Sequence, residues 1–257
     1  MADFEIQVLG SGSRGNATIL RYDETTVLVD SGFTMKEITR RMQLTGWDPE
    51  QIDAIVLTHY HSDHIHSAHM LSNKYGIPIY CTEETYPVII RKSKRKLAVS
   101  PFNEAFSIKQ LMFNPIPLDH DARGTVGFHI SQDGTSLVVA TDLGVMNNQL
   151  SEPLKKSKLW LLESNHDSYL LKEGPYPLDL KFRISSNFGH LSNDQAMDIV
   201  ETHLTSITET IIFGHLSQEN NSPSLVKEAL YRRIPESKMD QKVFIATQEV
   251  PLPKIII

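Results

Sequence analysis

The residues with the clearest chemical potential are three histidines and an aspartate within residues 59–64, whose sequence is His-Tyr-His-Ser-Asp-His. Neutral imidazoles and carboxylates are good ligands for zinc and other first-row divalent metals. The segment follows the apolar run Ala54–Thr58, which is typical of a strand buried on both faces. The end of such a strand can direct several side chains into one small volume. We therefore predict a metal site whose first ligands are His59, His61, Asp63 and His64.

The elements around this segment alternate between strands and helices. Strand-like runs occur from Phe4 to Ala246, and Ser192 with Gln195 forms a capping-box sequence at the start of a helix. A helix is predicted to begin at Thr34, with Glu37 completing a capping-box sequence, and further helices are predicted near residues 67–75, 146–154 and 222–233. The chain shows no short-period repeat and no obvious domain boundary. This pattern predicts a single α/β domain over residues 1–257, with strands inside and helices outside.

Composition indicates an ordinary globular chain, with 257 residues of which 40% are hydrophobic and 22% are charged. No apolar run approaches the roughly 20 residues that span a bilayer, and the first residues do not resemble a signal peptide. The single cysteine, Cys81, permits no intramolecular disulfide, which fits a reducing compartment. We therefore expect a cytoplasmic protein with no membrane partner.

The net charge of −6 means that the overall field of the protein does not attract nucleic acid. Any such binding must come from a local patch. The dense basic run of the chain is residues 91–96, Arg-Lys-Ser-Lys-Arg-Lys. A run of this kind is commonly a solvated surface, but here it is also the local segment able to hold a polyanion.

The motif at residues 59–64 resembles that of the metallo-β-lactamase superfamily, and the resemblance extends over nearly the whole chain. It implies an α/β fold, the αββα four-layer sandwich in which two mixed β-sheets are flanked by helices. It also implies two divalent metal ions per chain, zinc or manganese, as cofactors. By this resemblance His59, His61 and His120 bind one metal, Asp63, His64 and His215 bind the other, and Asp142 bridges the two.

Other segments resemble narrower groups within the superfamily. Residues 189–196, followed by residues 214–217, resemble the paired histidine motifs of ribonuclease Z and the phosphodiesterase PhnP. Residues 10–16, 162–167 and 174–177 resemble the YycJ/WalJ subfamily. That subfamily is regarded as nuclease-like and has been linked to DNA exonuclease activity. The resemblance therefore implies a phosphodiesterase or nuclease that acts on nucleic acid or a small phosphodiester.

The hypothesis for the mechanism assigns three catalytic residues. Two metal ions about 4 Å apart would share a hydroxide that attacks the substrate. Asp63 would orient this nucleophile or accept its proton. His190 would donate a proton to the leaving oxygen, and Glu163 would hold His190 in the required tautomer.

The Gly/Ser-rich loop at residues 10–16 is a candidate for substrate binding, because glycines let the backbone turn its N–H groups toward an anion. Within it, Ser11, Ser13 and Asn16 can donate hydrogen bonds. His166 belongs to a subfamily-like segment and is a further candidate for contact with the substrate.

Two other functions fit the same scaffold. One is a thioesterase or lactonase similar to glyoxalase II, and the other is a non-catalytic nucleic-acid-binding module. The pair His190 and His215 and the basic run favour phosphodiesters, and the complete set of ligands favours an enzyme. The sequence leaves open DNA or RNA as substrate, end or internal cleavage, and the oligomeric state.

Overall fold

Two seven-stranded β-sheets form the centre of the protein in a computed structural model that describes residues 3–257, apart from the side chain of Lys238. The first sheet contains Phe4–Gly10 (β1), Ala17–Tyr22 (β2), Thr25–Val29 (β3), Ala54–Val56 (β4), Ile79–Thr82 (β5), Val99–Phe102 (β6) and Ile255–Ile256 (β14). Their order is β14-β1-β2-β3-β4-β5-β6. Strands β1 to β3 pair antiparallel, whereas β3 to β6 pair parallel.

The second sheet repeats this plan. It contains Phe106–Ile108 (β7), Leu111–Pro117 (β8), Val126–Gln132 (β9), Thr135–Ala140 (β10), Leu159–Glu163 (β11), Thr210–Gly214 (β12) and Lys242–Ile245 (β13). Their order is β13-β12-β11-β10-β9-β8-β7. Strands β7 to β10 pair antiparallel and β10 to β13 pair parallel, so both sheets are mixed.

Helices cover the outer faces of the sheets. They are Met35–Leu44 (α1), Ser62–Ile65 (α2), Ala68–Tyr75 (α3), Tyr86–Lys92 (α4), Asn148–Lys156 (α5), Ser168–Glu173 (α6), Leu178–Ile184 (α7), Asn193–His203 (α8) and Pro223–Arg233 (α9). Short 3-10 helices occupy Pro49–Gln51 and Glu236–Lys238. Within residues 3–257, no helix combines the length and the apolar character that a membrane crossing requires.

Three clusters of buried apolar side chains hold these layers together. One lies between the sheets and includes Val56, Phe128 and Leu161. The second, which includes Ile38, packs helices against the first sheet, and the third, which includes Trp160, packs helices against the second. Each fully buried Leu, Ile or Phe contributes roughly 1.5–3 kcal/mol. The arrangement confirms the predicted αββα four-layer sandwich with two mixed sheets.

The predicted helices of the longer periodic segments are confirmed to within a few residues, as α1, α3, α5, α8 and α9. The capping box at Ser192 is also present. The Ser192 hydroxyl accepts a hydrogen bond from the backbone N–H of Gln195, and the Gln195 side chain accepts one from the backbone N–H of Ser192. The structure adds elements that the sequence did not indicate, namely α2, α4, α6, α7, β6, β7 and β14. Two of these, α6 and α7, lie next to the candidate site.

Candidate metal centre

The predicted metal ligands lie at the ends of strands from both sheets. Residues 59–64 follow β4 in the first sheet, and the remaining ligands follow β8, β10 and β12 in the second. Because ligand sites in open α/β sheets form beyond the carboxyl ends of strands, this edge is where a site is expected. The structure brings together there His59, His61, Asp63, His64, His120, Asp142 and His215.

The first cluster contains His59, His61 and His120, whose nearest nitrogen atoms lie within 4.8 Å of one another. The Nδ1 atom of His61 lies 3.4 Å from the Nε2 atom of His120. Two of these residues come from one short loop and the third from the opposite sheet. Three imidazoles at this spacing match the ligand set of a single divalent ion.

The second cluster contains Asp63, His64 and His215, with the same limit of 4.8 Å between ligand atoms. The Oδ2 atom of Asp63 lies 3.3 Å from His64 Nε2 and 3.4 Å from His215 Nε2. Both imidazoles are buried, whereas the carboxylate of Asp63 is partly exposed. A carboxylate with two imidazoles matches the ligand set of a second divalent ion such as zinc or manganese.

Asp142 lies between the two clusters. Its Oδ2 atom is 3.2 Å from His64 Nε2, and its Oδ1 atom is 3.3 Å from His215 Nε2. The same Oδ1 atom is 3.7 Å from His120 Nε2 in the first cluster. This carboxylate is therefore the group that connects the two ligand sets.

A second layer of acceptors orients three of the imidazoles. The Nδ1 atom of His64 lies 2.7 Å from Asp30 Oδ2, and that of His120 lies 3.0 Å from the carbonyl oxygen of Gly189. The Nδ1 atom of His215 lies 2.9 Å from Glu163 Oε1. Donation of Nδ1–H to these oxygens leaves Nε2 of each ring facing the clusters, as in ligated histidines.

The backbone is strained at three residues of this centre. Asp30, Asp142 and His215 have φ angles of 59°, 63° and 56°, in the left-handed region that non-glycine residues rarely adopt. Each such residue costs about 1–3 kcal/mol, and strain of this kind concentrates at functional sites. All three are turn residues at or just beyond the end of a strand, where the conformation redirects the side chain toward the cluster.

Two buried atoms of the centre fit a bound cation. His59 Nε2 makes no hydrogen bond to any described residue, although its ring is fully buried. Asp142 Oδ2 also makes none, although His64 Nε2 lies 3.2 Å away. Buried polar atoms in proteins are almost always satisfied, so these two require a further partner. Divalent metal ions are the partner that this set of imidazoles and carboxylates fits.

The ionisable groups show why the centre favours positive charge. Burial alone would lower the pKa of His215, but the carboxylates of Asp142, Asp63 and Glu163 raise it to about 10. Burial likewise would raise the pKa of Asp142, yet His215 and His64 hold the pKa of this carboxyl group well below its usual range. A metal ion and a proton compete for the same ligand atoms. The negative charge of the carboxylates, which favours a protonated imidazole, therefore also favours a bound metal ion.

Glu163 connects the metal centre to His190. Its Oε1 atom lies 2.8 Å from His190 Nδ1 as well as 2.9 Å from His215 Nδ1. Its Oε2 atom accepts from the backbone N–H groups of Leu143 and Leu191. Burial would raise the pKa of Glu163, but the charges and hydrogen bonds of His190 and His215 lower it to about 2. Glu163 is completely buried, so it acts on the site through these two histidines.

A cavity of about 300 Å³ opens onto both clusters. The catalytic candidates Asp63 and His190 line it, together with Ser13 of the Gly/Ser-rich loop. The remaining lining residues of the described chain are His61, Asp121, Asp142, Asn165, Tyr176, Leu180, Arg183, Ile184, Gly189, His215 and Ser217.

The other three substrate-binding candidates lie behind the cavity surface. Ser11 is buried, and its hydroxyl donates to Asn16 and accepts from the backbone N–H of His215. Asn16 is also buried, and its amide group contacts Asp63 and His64. His166 is 3% exposed and is absent from the described cavity lining. The structure therefore does not bring these three side chains to the open space of the cavity, because all three are buried.

Sequence reasoning did not identify Asp30, Asp121 or Arg183. Asp30 orients His64, and an Asp directly after a strand was the available signal. Asp121 follows His120 and lies 3.5 Å from His61 Nε2, while its other oxygen accepts from Arg183. Arg183 belongs to α7, a helix that the periodicity did not predict.

The basic run at residues 91–96 lies between the end of α4 and the start of β6. Its five cationic side chains are exposed. Because β6 runs parallel to β4 and β5, the run lies at the edge opposite to residues 59–64. It is therefore not part of the cavity, and any contact with a polyanion there is separate from the metal centre.

Comparison with known proteins agrees with this geometry. A family model described as the Metallo-beta-lactamase superfamily matches residues 10–215. The exodeoxyribonuclease WalJ of Streptococcus pneumoniae serotype 2 (strain D39 / NCTC 7466) is 32% identical over 260 residues, covering 97% of this chain and 97% of that protein. The exodeoxyribonuclease YycJ of Bacillus anthracis is 28% identical over 237 residues, covering 89% of this chain and 88% of that protein.

The fold is also found among solved structures. The metallo-beta-lactamase fold protein YhfI from Bacillus subtilis matches with a TM-score of 0.72 at 15% identity, covering 99% of this chain and 100% of that chain. At this identity the likeness concerns the fold, whereas the family follows from the matches in sequence. The chain belongs to the metallo-beta-lactamase superfamily and, within it, to the YycJ/WalJ-like subfamily.

Proposed function

We propose that residues 1–257 form a single hydrolase domain that binds two divalent metal ions, zinc or manganese, and removes nucleotides from an end of DNA. The observation that carries this proposal is the pair of His/Asp clusters that share Asp142 and open onto one cavity with His190. The names of the relatives WalJ and YycJ, both exodeoxyribonucleases, support DNA as the substrate and cleavage from an end.

In this proposal the residues of the two clusters hold the metals. When bound, divalent ions lower the pKa of water toward neutrality and offset charge on a phosphoryl group. Asp63 is the cluster carboxylate with partial exposure to the cavity, so it is placed to orient an attacking water and accept its proton. Asp142 is 2% exposed and serves as a ligand only.

His190 serves as the proton donor to the leaving oxygen. Its Nδ1 atom is held by Glu163, which leaves Nε2 as the nitrogen able to exchange a proton with the substrate. The side chain of His190 is 20% exposed and lines the cavity. Glu163, in contrast, does not reach the cavity and is a positioning residue.

The test combines metal analysis with a panel of substrates. Purified protein is measured for bound metal and assayed on an aryl phosphodiester, on end-labelled DNA and RNA, and on a thioester and a lactone. We expect about two metals per chain and release of nucleotides from DNA ends, with Asp63→Ala inactive. We expect His190→Ala to retain metal and lose about 100-fold or more in turnover, whereas His66→Ala, at an exposed histidine outside the cavity lining, stays near wild type.

Three other results would each contradict part or all of the proposal. Turnover of the thioester or the lactone alone would replace the proposal with the glyoxalase II-like alternative. Full activity of His190→Ala would remove His190 from the mechanism. Failure to bind metal after reconstitution would overturn the proposal as a whole.

A further inference from the structure

We propose that the cavity wall formed by residues 176–184 is a nucleobase subsite, in which Tyr176 stacks on the base of the terminal nucleotide and Arg183 contacts the neighbouring phosphate. The inference rests on the proposed function and names the part of the substrate that this site recognises. It concerns a segment that contributes no ligand to either metal cluster.

The composition of this wall differs from that of the rest of the cavity. The segment contributes Tyr176, Leu180, Arg183 and Ile184, whereas most other lining residues are histidines, carboxylates or small polar residues. Holding metals and a phosphate requires charged and polar groups alone. An aromatic ring beside two aliphatic side chains is instead suited to a flat heterocycle, because every base has a π-face that stacks on aromatic rings.

Tyr176 is presented to the cavity on a rigid backbone. It lies between Pro175 and Pro177, just before α7. Pro177 restricts the backbone of Tyr176, the residue before it, and Pro175 fixes its own φ angle, so the chain on both sides of Tyr176 is stiff. The side chain is half-buried and lines the cavity, which leaves it available to a ligand. Because the backbone at this position is already restricted, less conformational entropy is lost when a base stacks on the ring.

Arg183 is held close to the first cluster. Its Nε atom donates to Asp121, whose other oxygen lies 3.5 Å from His61 Nε2. The Arg183 side chain is 61% exposed, so further N–H groups of the guanidinium remain available to a phosphate. The wall therefore offers an aromatic surface and a cation next to the metal centre. These two groups suit the base and the phosphate of one nucleotide unit.

The size of the cavity supports a chain end as the occupant. Its volume of about 300 Å³ is at the lower limit of the range for small-ligand sites. A polymer can therefore place only a short part of itself in this space. A substrate without a base would leave Tyr176, Leu180 and Ile184 without contacts, so the subsite discriminates between a nucleotide unit and a simple phosphodiester.

The test uses single-stranded oligonucleotides that either carry normal bases throughout or carry abasic units at both ends. For the wild type we expect kcat/KM to be about 10-fold or more higher with the normal ends, the range of a single base–aromatic stack. Tyr176→Ala should reduce this preference to near one, by slowing only the substrate that carries terminal bases. Tyr176→Phe keeps the aromatic face and should keep the preference.

Tyr169→Ala is the matched control, since Tyr169 lies in α6, is 70% exposed and is absent from the described cavity lining. It should show the wild-type preference, with all variants carrying equal metal. An unchanged preference in Tyr176→Ala, or equal losses on both oligonucleotides, would overturn the subsite while the proposed function stands. Wild-type protein that releases nucleotides neither from these oligonucleotides nor from the ends of double-stranded DNA would overturn the proposed function itself.

Discussion

The two sheets share one plan but use the same turn in different ways. Strands β3 and β10 each end an antiparallel region and begin a parallel one. After each strand comes an Asp-x-Gly sequence, at residues 30–32 and 142–144. Both aspartates adopt a left-handed backbone conformation, with φ angles of 59° and 63°. Local structure at the two turns is therefore closely matched.

The partners of the two aspartates differ. His64 lies between them, with Nδ1 2.7 Å from Asp30 Oδ2 and Nε2 3.2 Å from Asp142 Oδ2. Asp30 otherwise accepts hydrogen bonds from Thr58, so its oxygens are used within the protein. Asp142 instead faces ligands of both clusters. The same turn therefore places a residue that orients a histidine in one sheet and, in the proposed function, a metal ligand in the other, depending on which loop packs against it.

The largest effect is expected for Asp142→Asn, which removes the charge shared by the two clusters. We expect bound metal to fall below two per chain and turnover to drop about 1,000-fold, which corresponds to roughly 4 kcal/mol of transition-state stabilisation. Excess metal should not restore the activity. Metal analysis and kcat measure the effect, with the exposed Asp240→Asn as control. Wild-type metal content in Asp142→Asn would refute the role of Asp142 as a ligand.

An intermediate effect is expected for Asp30→Asn. The change keeps the shape of the side chain but removes the charge behind His64, and orienting partners of ligands typically contribute 10–100-fold to metal affinity. We expect weaker metal binding, measured by titration with a competing chelator, and recovery of turnover at high metal concentration. If excess metal failed to restore the turnover of Asp30→Asn, as expected for Asp142→Asn, Asp30 would not be merely an orienting residue, and the two turns would have the same role.

At the glycines of the two turns we expect effects on stability, with little direct effect on turnover. A Cβ atom on Gly32 would lie 1.6 Å from the carbonyl oxygen of Asp63, and one on Gly144 would lie 2.4 Å from the backbone of Asn187. We expect Gly32→Ala and Gly144→Ala each to lower the free energy of unfolding by about 1–3 kcal/mol, with the larger loss at Gly32. Thermal unfolding at equal metal content measures this. Lys36→Ala, on the exposed surface of α1, should change stability by less than about 0.5 kcal/mol.

A result in which only one of the two glycine variants is destabilised would show that the turns are not equivalent in packing. Equal stability of Gly32→Ala and the wild type would mean that residues 59–64 can shift away from the turn at little cost.

The longer elements could be predicted from the sequence because their signals are local. The apolar run Ala54–Thr58 and the capping box at Ser192 each lie within a few residues, and both correspond to elements of the structure. The segment from α6 to α7 gave no such signal, because its helices have six and seven residues and α7 contains no buried residue. Its conformation depends on neighbouring loops, so hydrophobic periodicity does not report it.

Sequence alone predicts the candidate ligand types, the strand that precedes residues 59–64 and, through the family resemblance, His120, Asp142, His215 and the pairing of Glu163 with His190. The packed fold was needed to find that Asp30 orients His64, that Glu163 also contacts His215, and that Ser11 and Asn16 lie behind the cavity. The physical reason is the range of the interactions. Ligand spacing within six residues is a local property, whereas these contacts exist only after the two sheets have packed face to face and brought their strand ends to one edge.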